Sequence, residues 1–198
     1  MTNVTDFQSA LLASIDARKA YENDKNASND SIQKTLNAIR KTCEREAIAS
    51  VMLASNVDSS FINKSERTSN RFNVYAAEKV ANVAQAIAKA ATLNHYSLAI
   101  LRAASALKKA ELKLTHADAV AACSLDVAHK DKSRAAIIKS SRYAKHVAAN
   151  TASTQSSSSI NALQAFSVFT ESRDEANHVC YSLNENETVS ALLALAAQ

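Results

Sequence analysis

The sequence predicts an all-α fold of long, alanine-rich helices that form an extended bundle or hairpin without a β-sheet. Two observations lead to this prediction. The chain of 198 residues contains no glycine and no proline, whereas average usage gives roughly two dozen. Tight hairpins and phosphate-binding loops depend on glycine, so its absence favours helices joined by Ser, Asn and Asp segments. Apolar residues also recur three or four positions apart over most of the chain, as on one face of a helix.

The first part of the chain, residues 5–54, is predicted to form short helices. Thr5 is suited to cap the first of them, because its hydroxyl accepts a hydrogen bond from a free backbone N–H. The apolar side of this helix consists of Phe7, Leu11 and Ile15. A polar connection at residues 23–30 leads into a second helix, which keeps the helical spacing of apolar residues and ends near Ala54.

The middle of the chain, residues 60–146, reads as one very long helix or as two or three helices laid nearly end to end. Interruptions are predicted at 92–94 and at 115–118, where Thr115 and Asp118 are both capable of capping a helix. The low-complexity Ser/Thr/Asn run that follows is typical of a loop. The chain is thus predicted to be one helical unit, 1–198, with short helices at 5–54, the central stretch at 60–146, a Ser-rich linker at 150–159 and C-terminal helices at 159–198.

Composition excludes several classes of protein. The N-terminus has no secretory signal, and no run of 18 apolar residues encodes a conventional transmembrane helix. The three cysteines lie far apart, and an odd number without a secretory signal argues against a disulfide framework. We therefore predict that Cys43, Cys123 and Cys180 are small buried hydrophobic residues.

No catalytic group, cofactor or metal is predicted, and no small-molecule substrate. Glu175 and His178 have the Glu-x-x-His spacing of di-iron helical bundles, and Asp126 and His129 repeat it with a shorter acid. That chemistry needs further carboxylates on inward helix faces, which the sequence does not offer. The chain is interpreted as not being an enzyme.

A basic stretch lies near the end of the central segment, with no acidic residue between Asp131 and Glu171. On one continuous helix, at about 100° per residue, most of its cations fall within about 120° of each other. The candidate contacts to an anionic partner are Lys130, Arg134, Lys139, Arg142 and Lys145. Such a stripe suits DNA phosphates, an anionic membrane surface or an acidic protein. The alternative is an ordinary solvated helix face.

The central stretch also carries a predicted assembly face. An unbroken helix of this length spans on the order of 130 Å at about 1.5 Å per residue, which is more than a chain of this size can cover with its own core. The candidate assembly residues are Tyr75, Val83, Ile87, Leu98 and Leu101. An apolar stripe left exposed on a soluble monomer is a liability, so we predict a homo-oligomer or an assembly with other proteins.

A motif in the first half resembles a known family. An Ala/Arg/Glu-rich helix leads into the turn LASNVDSSFI at 53–62, which is followed by a spaced Glu and Arg. Residues 39–72 resemble the centre of the smaller internal virion proteins of T7-like short-tailed phages. The motif positions are Asn56, Asp58, Ser59, Glu66 and Arg71. The resemblance implies a non-enzymatic protein that is packaged in the capsid, is ejected with the genome and helps to build a conduit through the host envelope.

The sequence is therefore interpreted as a phage internal virion or ejection protein that assembles with copies of itself or with other virion proteins. Its predicted location is the virion, inside the capsid or at the tail vertex, and the host envelope during infection. One alternative is a nucleic-acid-binding or genome-organising protein that uses the basic stripe at 130–145. The other is a cellular helical-bundle adaptor.

Overall fold

The computed structural model describes residues 3–25, 29–63, 72–143 and 145–197. Helix accounts for 66% of the structure. The sequence predicts a single unit over 1–198, whereas the structure divides the chain into two compact units, 1–92 and 93–198. They are called unit 1 and unit 2 below.

Unit 1 is a helical bundle. Its elements are α1 (Val4–Lys25), α2 (Asp30–Cys43), α3 (Glu46–Ala54), a short 3-10 helix (Phe61–Asn63) and α4 (Val74–Ile87). Helix α1 packs against α2 and α3, and α4 packs against the same two helices. The three apolar residues predicted on one side of the first helix are all buried. The same face continues with Arg18 and Glu22, which are buried as an ion pair.

Unit 2 is organised around α5, which contacts almost every other element of the unit. Its elements are α5 (His95–Lys109), β1 (Leu114–Thr115), α6 (His116–Ala122), α7 (Lys132–Ile138), a short 3-10 helix (Lys139–Ser141), α8 (Ala149–Ala165), β2 (Phe169–Arg173), β3 (Val179–Leu183) and α9 (Glu187–Ala196). Ile100, Leu101 and Leu107 of α5 are fully buried. Within the described ranges, no helix combines the length and apolarity needed to cross a bilayer.

The prediction of a fold without a β-sheet is wrong. Strands β1, β3 and β2 form a three-stranded antiparallel sheet in that order, in a region that the sequence predicts to be helical. Glycine is normally needed where a hairpin turns through positive φ, but Asn177 adopts φ 65 in its place. The turn is closed by the Asp174 carboxylate, which accepts a hydrogen bond of 2.8 Å from the backbone N–H of His178.

The Ser-rich segment 150–159 is helical and is not a linker, because it lies inside α8. Its hydroxyl groups bond to carbonyl groups one turn back, as in the 2.7 Å bond from Ser158 to Thr154, so their polar groups are satisfied within the helix. Ser156, Ser158 and Ser159 are buried. Small side chains at these positions let α8 pack closely on α5 and α6.

The central stretch 60–146 is not one long helix. Among the described residues, four helices end with a left-handed residue that is not glycine, and the two backbone bonds of a Schellman motif form at each of these ends. At the end of α4, Lys89 donates to the carbonyl of Ala86 and Ala90 donates to that of Gln85. The four left-handed residues are Asn56, Lys89, Glu111 and Ser167.

A glycine at such a position is expected to stabilise the protein. Lys89 is exposed and has φ 56, a conformation that costs a non-glycine residue roughly 1–2 kcal/mol. Allowing for the larger unfolded-state entropy of glycine, Lys89→Gly should raise the free energy of unfolding by about 0.5–1 kcal/mol. Denaturant titration measures this. The control is Lys34→Gly, inside α2, which should destabilise by about 1 kcal/mol; equal losses in both variants would contradict the prediction.

Candidate functional site

The end of α6 is tied to the start of α8. The Ser124 hydroxyl donates to the carbonyl of Val147 at 2.6 Å and accepts from the N–H of the same residue at 3.1 Å. Nearby, the N–H of Tyr143 donates to the carbonyl of Ala122, and that of Leu125 donates to the carbonyl of Lys145. If residues 125–146 are left out, only four residues, 123, 124, 147 and 148, separate α6 from α8. Residues 125–146 are called the inserted segment below.

The inserted segment is held by a buried carboxylate. Asp118 is fully buried and caps the start of α6 together with Thr115, in a reciprocal capping box. Arg134 of α7 donates from Nε and Nη2 to its two oxygens, at 2.9 and 2.5 Å. His129 Nε2 lies 3.1 Å from Asp118 Oδ1. Asp118 therefore joins β1, α6 and α7.

The pKa of Asp118 is lowered from its ordinary value. Burial by itself raises the pKa, since it disfavours the charged form, but the hydrogen bonds from Arg134 and Thr115 favour the carboxylate and outweigh burial. The same contact raises the pKa of Arg134. Asp118 is thus a charged structural anchor.

The predicted basic stripe is not a face of one helix, because α7 ends at Ile138 and a 3-10 helix follows. Arg134 is engaged with Asp118, and Arg142 donates to the carbonyls of Ala121, Ser124 and Val127, where it closes the end of α6. The two arginines thus fasten the inserted segment to the rest of unit 2. The stripe residues that remain exposed are Lys130, Lys139 and Lys145.

Helix α8 exposes a face of neutral hydrogen-bonding groups. None of its 17 residues is charged. Asn150, Thr151 and Thr154, in its first two turns, are exposed. Further along, Ser157 lies 3.1 Å from Nε2 of His116, which links α8 to the start of α6. The exposed side of α8 is thus polar but uncharged.

The neighbours of α8 at the surface are charged. Lys145 precedes the helix and is exposed, with its Nζ 6.0 Å from the ring centroid of Tyr143. After the helix comes the β2–β3 hairpin, where exposed Arg173 donates to the carbonyl of Asn177 at 2.8 Å. The hairpin has acidic residues as well, and the backbone N–H of His178 lowers the pKa of Asp174. Its charge is therefore mixed.

Most of the predicted assembly face lies in the interior. Val83 and Leu101 are fully buried, Ile87 and Leu98 are half-buried, and only Tyr75 is largely exposed, at 52%. The long exposed stripe on which this prediction rested is therefore absent from the described residues, and the oligomer itself stays a prediction.

The family-like motif falls partly on described residues. Asn56 is the left-handed residue that ends α3. Asp58 accepts hydrogen bonds from the N–H and the hydroxyl of Ser60, at 2.8 and 2.7 Å, in the following turn, and Ser59 is half-buried beside them. Glu66 and Arg71 lie outside the described residues.

The sequence interpretation missed the α8 face and its tie through Ser124. A signal for the face was present: no Lys, Arg, Asp or Glu occurs between Lys145 and Glu171. We interpreted that stretch partly as a linker because serine dominates it. The predicted burial of the three cysteines, in contrast, is confirmed.

Comparison with protein-family models, with curated proteins and with solved structures finds no match to this chain. Any function therefore has to be argued from the geometry of the two units.

Proposed function

We propose that unit 2 binds double-stranded DNA, with α8 lying in the major groove and the β2–β3 hairpin beside it on the sugar–phosphate backbone. The observation that carries this proposal is the uncharged, hydrogen-bonding face of α8. We assign this helix, which follows α6 and the inserted segment, to the second position of a helix–turn–helix. In such motifs the second helix enters the major groove, and its N-terminal residues contact base edges. In α8 these residues are Asn150, Thr151 and Thr154, which are exposed.

The order of elements supports the proposal. A strand precedes α6, a hairpin follows α8, and β1 pairs with β3 at the edge of the sheet opposite β2. This is the order of a winged helix–turn–helix, in which the inserted segment enlarges the turn. The reciprocal hydrogen bonds between Ser124 and Val147 hold the two ends of the inserted segment together.

Duplex DNA fits this face better than duplex RNA or single-stranded nucleic acid does. The major groove of B-form DNA is about 12 Å wide and admits a helix, whereas the deep, narrow major groove of duplex RNA does not. Single-stranded nucleic acid is usually held by exposed aromatic rings. The large hydrophobic residues exposed among those described are Tyr75, Leu112 and Leu125, none of which lies on α8.

The proposal predicts binding that depends on salt. Lys145 and Arg173 flank α8 in sequence and are exposed, as cations that contact phosphates must be. Each phosphate contact contributes roughly 0.9 to the slope of log affinity against log salt concentration. The double variant Lys145→Ala/Arg173→Ala should therefore lower that slope by about 1.8 in titrations of a labelled duplex.

Lys109→Ala is the matched control. Lys109 is exposed at the end of α5, where it borders a surface pocket next to α9, and its loss should leave the slope unchanged. The proposal fails if the unaltered chain binds no duplex at low salt, if it prefers anionic vesicles to DNA, or if the control variant weakens binding as much as the double variant does.

The virion role implied by the family resemblance stays a separate prediction. A DNA-binding unit is compatible with a protein packaged beside a genome, but the described contacts do not bear on packaging. The protein content of purified particles decides this point, whatever the outcome of the DNA titrations. Sedimentation of the purified chain decides, in the same way, whether it forms the predicted oligomer.

A further inference from the structure

We infer that α8 selects duplex sites with A·T base pairs at the positions facing its first two turns, and that it does so through neutral contacts without reading guanine. This inference rests on the proposed function and adds to it the class of sequence that is recognised. It follows from which hydrogen-bonding groups the exposed face contains and which it lacks.

The side chains of the face match adenine and thymine. An amide side chain is able to donate to N7 and accept from N6 of adenine at the same time, and the thymine methyl group favours contact with a methyl group of the protein. Asn150 lies in the first turn of α8 and is exposed. Its Oδ1 accepts from the N–H of Thr151 at 2.7 Å and from the hydroxyl of the same residue at a longer 3.4 Å. That hydroxyl rotates freely, so a base that donates at closer range is able to replace the longer bond.

Thr154 offers a methyl group. Its hydroxyl donates to the carbonyl of Asn150 at 3.0 Å, so the hydrogen of that hydroxyl is used within the helix. The side chain is exposed, and it presents the γ-methyl group together with the acceptor lone pairs of the hydroxyl oxygen. Asn150 and Thr154 are four residues apart and thus lie on the same side of α8. Together they provide an amide and a methyl group for neighbouring base pairs.

The groups that read G·C pairs are missing from the helix. Guanine is most often contacted by Arg or Lys through O6 and N7, and cytosine by Asp or Glu through N4. The whole of α8 contains none of these four residue types. The nearest cations in sequence, Lys145 and Arg173, lie before and after the helix, where they are assigned above to phosphates. The hydroxyl groups on the face accept either kind of base pair, so the amide of Asn150 and the methyl group of Thr154 are what discriminates, in favour of adenine and thymine.

The test is selection of tight-binding duplexes from a randomised pool by the full chain at low salt. The expected result is enrichment of A·T pairs at two or three adjacent positions. Replacing one of these pairs by G·C should weaken binding by roughly tenfold. Asn150→Ala/Thr154→Ala should remove most of that discrimination and leave affinity for unselected DNA nearly unchanged, whereas Lys145→Ala should weaken binding to both kinds of duplex equally.

A second variant tests the inference by adding a base contact, so the result does not depend on lost binding. Asn150→Arg introduces the side chain that reads guanine, and it should move the selected sequence towards G·C at one position. Salt-dependent binding without enrichment, or enrichment of guanine by the unaltered chain, overturns the inference and leaves the proposed function standing. Absence of any duplex binding overturns both. Far-ultraviolet circular dichroism that matches the unaltered chain shows that each variant is folded.

Discussion

Replacing Asp118 with alanine is expected to destabilise unit 2 by about 3–5 kcal/mol, the usual cost of removing one partner from a buried ion pair. The carboxylate is fully buried and accepts hydrogen bonds from Arg134 and from both the N–H and the hydroxyl of Thr115. Its loss leaves the guanidinium, whose side chain is only 16% exposed, without a counter-charge. Hydrogen exchange of backbone amides within 93–197 measures the change without interference from unit 1.

Two variants sharpen this prediction. Asp118→Asn keeps the shape but removes the charge, and it should cost less than alanine. Asp126→Ala removes an exposed carboxylate of the inserted segment, which pairs with His146 at 2.5 Å, and exposed pairs contribute at most about 1 kcal/mol. A loss below about 1 kcal/mol for Asp118→Ala would contradict the anchoring role.

The same carboxylate makes the stability of unit 2 depend on pH. Because the folded state lowers the pKa of Asp118, the folded state binds fewer protons than the unfolded state in the acid range. The contribution of this group is complete above the unfolded pKa of about 3.9 and is lost as the pH falls through the lower folded-state pKa. The unaltered chain should therefore lose stability more steeply than Asp118→Asn when both are unfolded at successively lower pH.

Replacing Arg18 with alanine is expected to destabilise unit 1 by a similar amount, about 3–5 kcal/mol. Arg18 is 5% exposed and pairs with buried Glu22 at 2.7 Å. It also donates to the backbone carbonyls of Ile62 and Phe72, each at 2.7 Å. Alanine leaves a buried carboxylate without its cation and removes the donor from two carbonyl groups. Amide exchange within the described parts of 3–92 reports the loss.

Arg40→Ala is the matched control for Arg18→Ala. Arg40 also forms ion pairs with two carboxylates, those of Asp16 and Glu44, but at the surface of the same unit. Solvent screens such pairs, so its removal should have little effect on unfolding. If Arg40→Ala and Arg18→Ala destabilised unit 1 equally, burial would not be what makes Arg18 important.

From the sequence, Arg134 and Arg142 were predicted to contact an anionic partner, whereas the structure uses both inside unit 2. The prediction considered only the positions of the positive charges along a helix. It therefore treated each arginine as available to an anionic partner. In the structure each guanidinium is used internally, one by a carboxylate and the other by backbone carbonyls. The groups that they bind lie 15 to 21 residues earlier in the chain, so no local pattern indicates them.

The sequence by itself determined the helical character of the chain and much of its core. Spacing of three and four residues placed Phe7, Leu11 and Ile15 on one buried face, because that period follows from the geometry of a single helix. Asp118 and Thr115 were recognised as capping residues, since a cap involves neighbours in sequence.

Only the tertiary structure decided which segment forms the sheet, what the serines do and at which residues α4 and α5 stop. The end of α3 at Ala54 was expected from the sequence, but Lys89 and Glu111 adopt left-handed conformations at a local cost that packing has to offset. The same holds for Asn177 in the hairpin. Serine has a low helix propensity because its hydroxyl bonds to nearby backbone groups in non-helical conformations. In α8 the packing of Ser156, Ser158 and Ser159 against the rest of unit 2 offsets that preference.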